Sequence, residues 1–274
     1  MKSAGPSSYS AQIPDAIDVS HPFILRGVRN WWSDVSPKEN RMDLKSVMSQ
    51  LKSLGTAQNV KIYRRHGAGD DVFGVSYADL KKLRKKLGTD HTLAMKLWDT
   101  GNSDARSLAM MIACPEDLTA GMATQLMKDI SYPPHASEVA ALVARSQCGI
   151  AKMRQWRKQK SEFARAVGYS ILACILKEDP DALDDTECER ILKEIELEIH
   201  RSPNHARYAM IMAVIAVGVY KPDLSDEAIE AGDRIGDVEI DHGETGCRTP
   251  QIGPYITKAL KRTAAKKKPR TRTC

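Results

Sequence analysis

Aromatic side chains are scarce in this 274-residue chain, at 5% of positions, and no stretch alternates apolar and polar residues for long. Val238–Ile240 is the best strand pattern, and it is brief. Ala, Leu, Met and Lys are plentiful instead. Straight-chain residues lose little rotamer freedom in a helix, so the balance favours an all-α fold. No two of the six cysteines (Cys114, Cys148, Cys174, Cys188, Cys247, Cys274) form a CxxC pair, which argues against a zinc knuckle. Cys114, Cys148 and Cys174 sit among apolar residues, as free thiols do, and a reducing, cytoplasmic setting is expected. The residues Met1–Pro14 lack the apolar core of a secretory signal. The most apolar run, Ala206–Tyr220, is shorter than the roughly 20 residues that span a bilayer. It reads as a core helix, apolar on every face, and no membrane contact is expected.

What is present is charge, unevenly spread. The formal net charge is +6, yet eight basic residues and no acid lie between Lys258 and Arg272. Without those eight, 33 basic residues face 35 acidic ones, a body near −2. Net charge alone therefore does not mark the body as a nucleic-acid binder. The tail either holds phosphate non-specifically or is a solvated end.

Residues 1–40 are punctuated by four prolines and carry the pair Trp31 and Trp32, expected to dock on the body. From Met42 onward, cap signals recur at short spacing. Asp43, Ser76, Asp90 and Ser225 can each open a helix, and Gly55, Gly67, Gly88, Gly101 and Gly236 can each close one. Leu80, Leu83 and Leu87 keep helical spacing. Further helices are expected over 103–113, 118–130, 137–147, 150–160, 161–177, 186–200 and 204–220. Many short helices in series, joined by tight turns and without an exact repeat, predict an α-solenoid.

The stretch Val72–Ile112 is the most specific signal. It holds a Phe73-Gly74-Val75 turn, a helix with Leu83-Arg84-Lys85, a helix ending in Leu97-Trp98, and then Asp104-Ala105-Arg106 before Leu108-Ala109; Tyr63 to Gly67 precedes it. These motifs resemble the DNA alkylation repair family of HEAT-like-repeat DNA glycosylases, over roughly residues 42–235. Trp156–Ala166 is similar to a family segment facing DNA, with Phe163 and Arg165 in the aromatic and basic places. The resemblance implies a superhelix of HEAT-like antiparallel helix pairs, placed over 41–236; the residues themselves give an irregular segment over 1–40, a C-terminal loop and short helix over 237–260, and a basic, disordered tail over 261–274. It implies a monomer that holds double-stranded DNA and hydrolyses the N-glycosidic bond of cationic alkylated purines such as 3-methyladenine and 7-methylguanine, with no metal or organic cofactor. A fixed carboxylate would meet the positive sugar in the transition state.

The chain departs from the family at that carboxylate. The family has a Trp and then an Asp after the 118–130 helix, whereas here Asp129–Glu138 lacks the Trp, and the Asp falls on Ser137 or Glu138. Glu138 or Asp129 is the catalytic candidate; the plainer reading of Glu138 is a charge favouring a helix N-terminus. Arg106, Arg154, Arg157, Lys158, Phe163, Arg165 and Arg207 are the DNA-binding candidates. Arg154, Arg157 and Lys158 share a helical face at spacings of three and four. The run Lys81–Lys86 is a similar candidate, and the acidic stretch Glu178–Glu198 is expected to face solvent away from DNA. Asp241, His242 and Cys247 have a loose metal-ligand look, but a hydrogen-bonded turn explains them better. A non-catalytic DNA- or protein-binding scaffold is the alternative to the enzyme.

Overall fold

A computed structural model describes residues 42–267, and the expectations for residues 1–40 and 268–274 lie outside them. The described residues form thirteen α-helices and no strand. They are α1 (Leu44–Leu54), α2 (Ala57–Arg65), α3 (Tyr77–Leu87), α4 (His91–Asp99), α5 (Ser103–Ile112), α6 (Ala120–Lys128), α7 (Pro133–Ala144), α8 (Gly149–Trp156), α9 (Glu162–Glu178), α10 (Asp185–Glu198), α11 (Asn204–Tyr220), α12 (Ser225–Ile235) and α13 (Ile252–Lys267).

Three of the four expected caps form; Ser225 is instead the first residue of α12, and its hydroxyl donates to the Gly218 carbonyl at 2.8 Å. Asp43, Thr56, Ser76, Asp90, Asn102, Thr119 and Asp184 each accept a backbone N–H of the turn they open. Gly88 and Gly236 close α3 and α12 at positive φ. Two boundaries move by four residues: α8 ends at Trp156 where 160 was expected, and α7 begins at Pro133 where 137 was expected. Two prolines in the first turn need no partner for the N–H they lack, and their φ is already helical.

The helices stack in two layers as an α-solenoid of HEAT-like antiparallel pairs. One layer runs α3, α5, α7, α9, α11, α13, each helix packed on the next. The other runs α4, α6, α8, α10, α12, each packed on its partner in the first. The deepest packing is α9 against α11, and α11 is buried continuously from Ala209 to Gly218. That accounts for its apolar composition on every face, and no single helix among the described residues is long and apolar enough to cross a membrane.

The C-terminal region differs from expectation. The basic run that reads as a tail is helical through Lys267. Ile252 and Ile256 of α13 are buried, and a Cβ placed on Gly218 of α11 would lie 2.5 Å from Ile256 Cδ1. Only a residue without a side chain allows that approach.

Candidate functional site

The signature turn builds the front of the site. Gly74 has φ +80°, and a Cβ there would lie 2.5 Å from the Thr56 carbonyl oxygen, so glycine is required. The carboxylate of Asp104, in the first turn of α5, accepts the backbone N–H groups of Phe73 (2.6 Å), Gly74 (3.0 Å) and Val75 (2.8 Å). Tyr63 Oη donates to the Val75 carbonyl at 2.7 Å. The Phe-Gly-Val turn and the Asp-Ala-Arg motif are thus two halves of one clamp, and the clamp fixes the start of α3. Burial pushes the Asp104 carboxyl above its ordinary value against the pull of the three amides.

Behind the clamp sits Glu138, in the second turn of α7. Tyr77 Oη, from the first residue of α3, donates to Glu138 Oε1, and Ser107 Oγ of α5 donates to Oε2 at 3.0 Å. One carboxyl therefore ties together α3, α5 and α7. It lies beyond the first turn of its helix, so it is not the N-terminal charge of the plainer reading. Its side chain is 14% exposed, and burial raises its pKa from 4.5 to about 7. His135, one turn earlier, approaches to 4.0 Å but is bound elsewhere: Nε2 meets the Ser103 carbonyl at 3.1 Å. A carbonyl only accepts, so Nε2 carries the proton and Nδ1 is left without a partner. Burial lowers the His135 pKa to about 4, so the ring is neutral at pH 7. Tyr132 lies edge-on to His135, and burial together with Glu138 and Asp104 raises Tyr63 to about 12.

Asp129 lies apart from this cluster. It ends α6, where Oδ2 accepts Trp98 Nε1 (3.1 Å) and Oδ1 accepts Gln125 Nε2 (2.7 Å). Arg106 stacks 4.8 Å over the Trp98 ring while donating to the carbonyls of Trp98 (3.1 Å) and Asp129 (3.0 Å). Both side chains hold the α4–α5–α6 junction together.

Three of the other candidate arginines find their counter-charges in the acidic helix α10. Arg154 is bidentate to Glu187 at 2.8 and 2.6 Å, with its side chain 54% exposed. Arg157 is 2% exposed and paired with Glu194, which also accepts Tyr169 Oη. Arg165 meets Glu198 at 3.0 Å and donates to the Gln159 carbonyl and to Ser202. The expected phosphate-contacting face of Arg154, Arg157 and Lys158 is therefore divided: Arg157 is inside, and Lys158 is exposed. The expected solvent role of α10 is corrected too, because Glu187, Glu194 and Glu198 face these arginines. The pairs span 33 to 37 residues, which no local spacing reveals.

Phe163 is half-buried and stacked on His205 with ring centroids 5.5 Å apart. Arg207 donates to the carbonyls of Ser202 and Glu239, both at 2.7 Å, and so anchors the loop after α12. In that loop Asp241 accepts the Gly243 N–H and His242 meets Thr249 at 3.0 Å, the local hydrogen-bonded turn that was expected. Among the described residues no group of three His, Cys, Asp or Glu side chains could hold a metal ion. The exposed cations include Lys128, Lys158, Lys160 and the α3 run Lys81, Lys82, Arg84, Lys85 and Lys86, in which Lys82 meets Asp79.

Sequence reasoning missed Tyr77, Ser107 and His135 as neighbours of Glu138. Tyr77 stands just after the signature turn, and Ser107 just after the Asp-Ala-Arg motif, so the motif itself held the signal.

Comparison with known proteins agrees with this architecture. The family model described as DNA alkylation repair enzyme matches residues 47–267. An uncharacterized protein of Listeria monocytogenes is 30% identical over 224 residues, covering 78% of this chain and 96% of that protein. One of Listeria innocua is 29% identical over 223 residues, with the same coverage. A solved structure superposes with a TM-score of 0.76 at 26% identity, covering 81% of this chain and 95% of its own; it is described as belonging to a new family of proteins related to the HEAT-like repeat DNA glycosylases with affinity for branched DNA structures.

Proposed function

This chain belongs to the DNA alkylation repair enzyme family, and from that premise we propose that it is a DNA-binding HEAT-like-repeat protein that recognises branched or distorted DNA without excising bases. The observation that carries this reading is the state of Glu138. A carboxylate that meets a developing oxocarbenium ion must be ionised and free to face the sugar. Glu138 receives a hydroxyl on each oxygen, and burial holds its pKa near 7. Asp129 is spent on Trp98 and Gln125. The branched-DNA preference is supported by the solved structure described as having that affinity.

The test compares the full chain on a four-way junction and on a duplex of matched length, over a salt series. Tighter binding to the junction, falling steeply with salt as counterions are released, is the expected result. Equal and salt-independent binding would remove the proposal.

A second reading keeps the chemistry. Glu138 stands among Tyr63, Tyr77 and Tyr132, and a carboxyl perturbed by burial beside aromatic rings is a pattern found at active sites. In that case methylated DNA would release 3-methyladenine or 7-methylguanine, and Glu138→Gln would abolish the release.

A further inference from the structure

A cavity of about 410 Å³ lies where the C-terminal ends of α6 and α8 meet the first turn of α9. Its size is that of a small-molecule pocket, commonly about 300–1,000 Å³. It shares no lining residue with the Glu138 cluster. Half-buried Phe163, stacked on His205, supplies the accessible aromatic wall; Trp156 and Ile130 line the cavity but are only 2% and 6% exposed, Met127 adds aliphatic wall, and the amides of Gln155 and Gln159 supply polar edges. Flat apolar surface with a few amide donors and acceptors at its margin is complementary to a nucleobase, whose faces are apolar and whose edges form hydrogen bonds.

The charge around the mouth fits a nucleotide better than a free base. Lys128 lines the cavity and is exposed; Lys158 and Lys160, on the connection into α9, are exposed as well. Two carboxylates stand nearby in sequence, Asp129 hydrogen-bonded to Trp98 and Gln125, and Glu162 to the His205 backbone N–H at 2.8 Å, so the three lysines outnumber them.

We propose that this cavity takes one unpaired base of DNA, with the adjoining phosphates held by Lys128, Lys158 and Lys160. The proposal rests on the DNA-binding reading above and deepens it: branch points and bulges offer unpaired bases, whereas a continuous duplex does not. Base stacking against an aromatic side chain is insensitive to sequence, so selectivity would follow the structure of the DNA.

The experiment uses two probes: a duplex with a single bulged 2-aminopurine, and the same duplex fully paired. With the wild-type chain, the bulged probe is expected to bind about tenfold more tightly and to lose fluorescence as its base stacks. Gln155 is exposed at the mouth, so Gln155→Trp fills the cavity without disturbing the core and should abolish most of that preference. Phe163→Ala should remove the fluorescence change. Equal affinity of the wild-type chain for both probes, or an unchanged preference in Gln155→Trp, would overturn the proposal. A four-way junction titrated in parallel separates the two levels. Junction binding without bulge preference sinks the cavity alone, and no binding to any of the three DNAs sinks the DNA-binding reading with it.

Discussion

The Tyr77 hydroxyl donates to the Glu138 carboxyl, joining the first residue of α3 to the second turn of α7, with Ser107 of α5 completing the tie. Three consecutive helices of one layer meet at a single ionisable group. What the group does at a given pH is therefore written into stability as well as into any chemistry.

Glu138 and His135 should titrate against each other. The Glu138 carboxyl has its pKa raised to about 7, so between 4.5 and 7 the folded chain holds a proton that the unfolded chain releases, and stability falls as pH rises. His135 is lowered from 6.5 to about 4, so over that window the folded chain holds fewer protons and stability rises with pH. Across their overlap the slopes oppose, and this pair's contribution should be nearly flat. Glu138→Gln removes one slope. Its stability should fall by on the order of 3 kcal/mol between pH 6.5 and 4 relative to the wild-type profile. Urea unfolding at several pH values checks this, and parallel profiles for the two proteins would contradict it.

Asp104→Ala should be among the most destabilising single substitutions. It strands three backbone N–H groups, two of them in buried bonds, and frees the signature turn. A loss of about 3–5 kcal/mol is expected, with Asp104→Asn milder because one acceptor oxygen remains. Denaturant midpoints at constant m-value measure both.

Arg157 should matter for folding and not for DNA. Removing one partner of a buried ion pair leaves an uncompensated charge, so Arg157→Met should cost about 3–5 kcal/mol through the stranded Glu194. The salt dependence of DNA binding should be unchanged in a sample shown to be folded. A shallower salt slope would return Arg157 to the interface.

Lys158→Ala and Lys160→Ala should do the opposite. Both positions are exposed, so thermal stability should hold. Each lost phosphate contact should reduce the salt slope by about 1.

The sequence made the helices legible because their caps are local. Asp43, Ser76 and Asp90 each accept an N–H three residues on, a distance that spacing can read. The family motifs were legible as a pattern, but their purpose was not: Asp104 and Phe73 are 31 residues apart. The basic candidates misled for the same reason. A helical wheel puts Arg154, Arg157 and Lys158 on one side, yet the carboxylates of Glu187 and Glu194 arrive from another helix pair and neutralise two of the three. Periodicity describes one helix at a time, and this site is made between helices. The length of α13 escaped because its lysines suit a solvated end, while its anchor, Ile252 and Ile256, precedes them.

A stack of helix pairs has no intrinsic length, since each pair offers its successor much the same flank. With Ile256 against Gly218 and Ile252 against Gly232, α13 occupies the flank that a further pair would use. The two isoleucines thus cover apolar flank that would otherwise be exposed at that end of the described residues. A chain cut at Gly236 would regain a sticky terminus and with it a route to fibres.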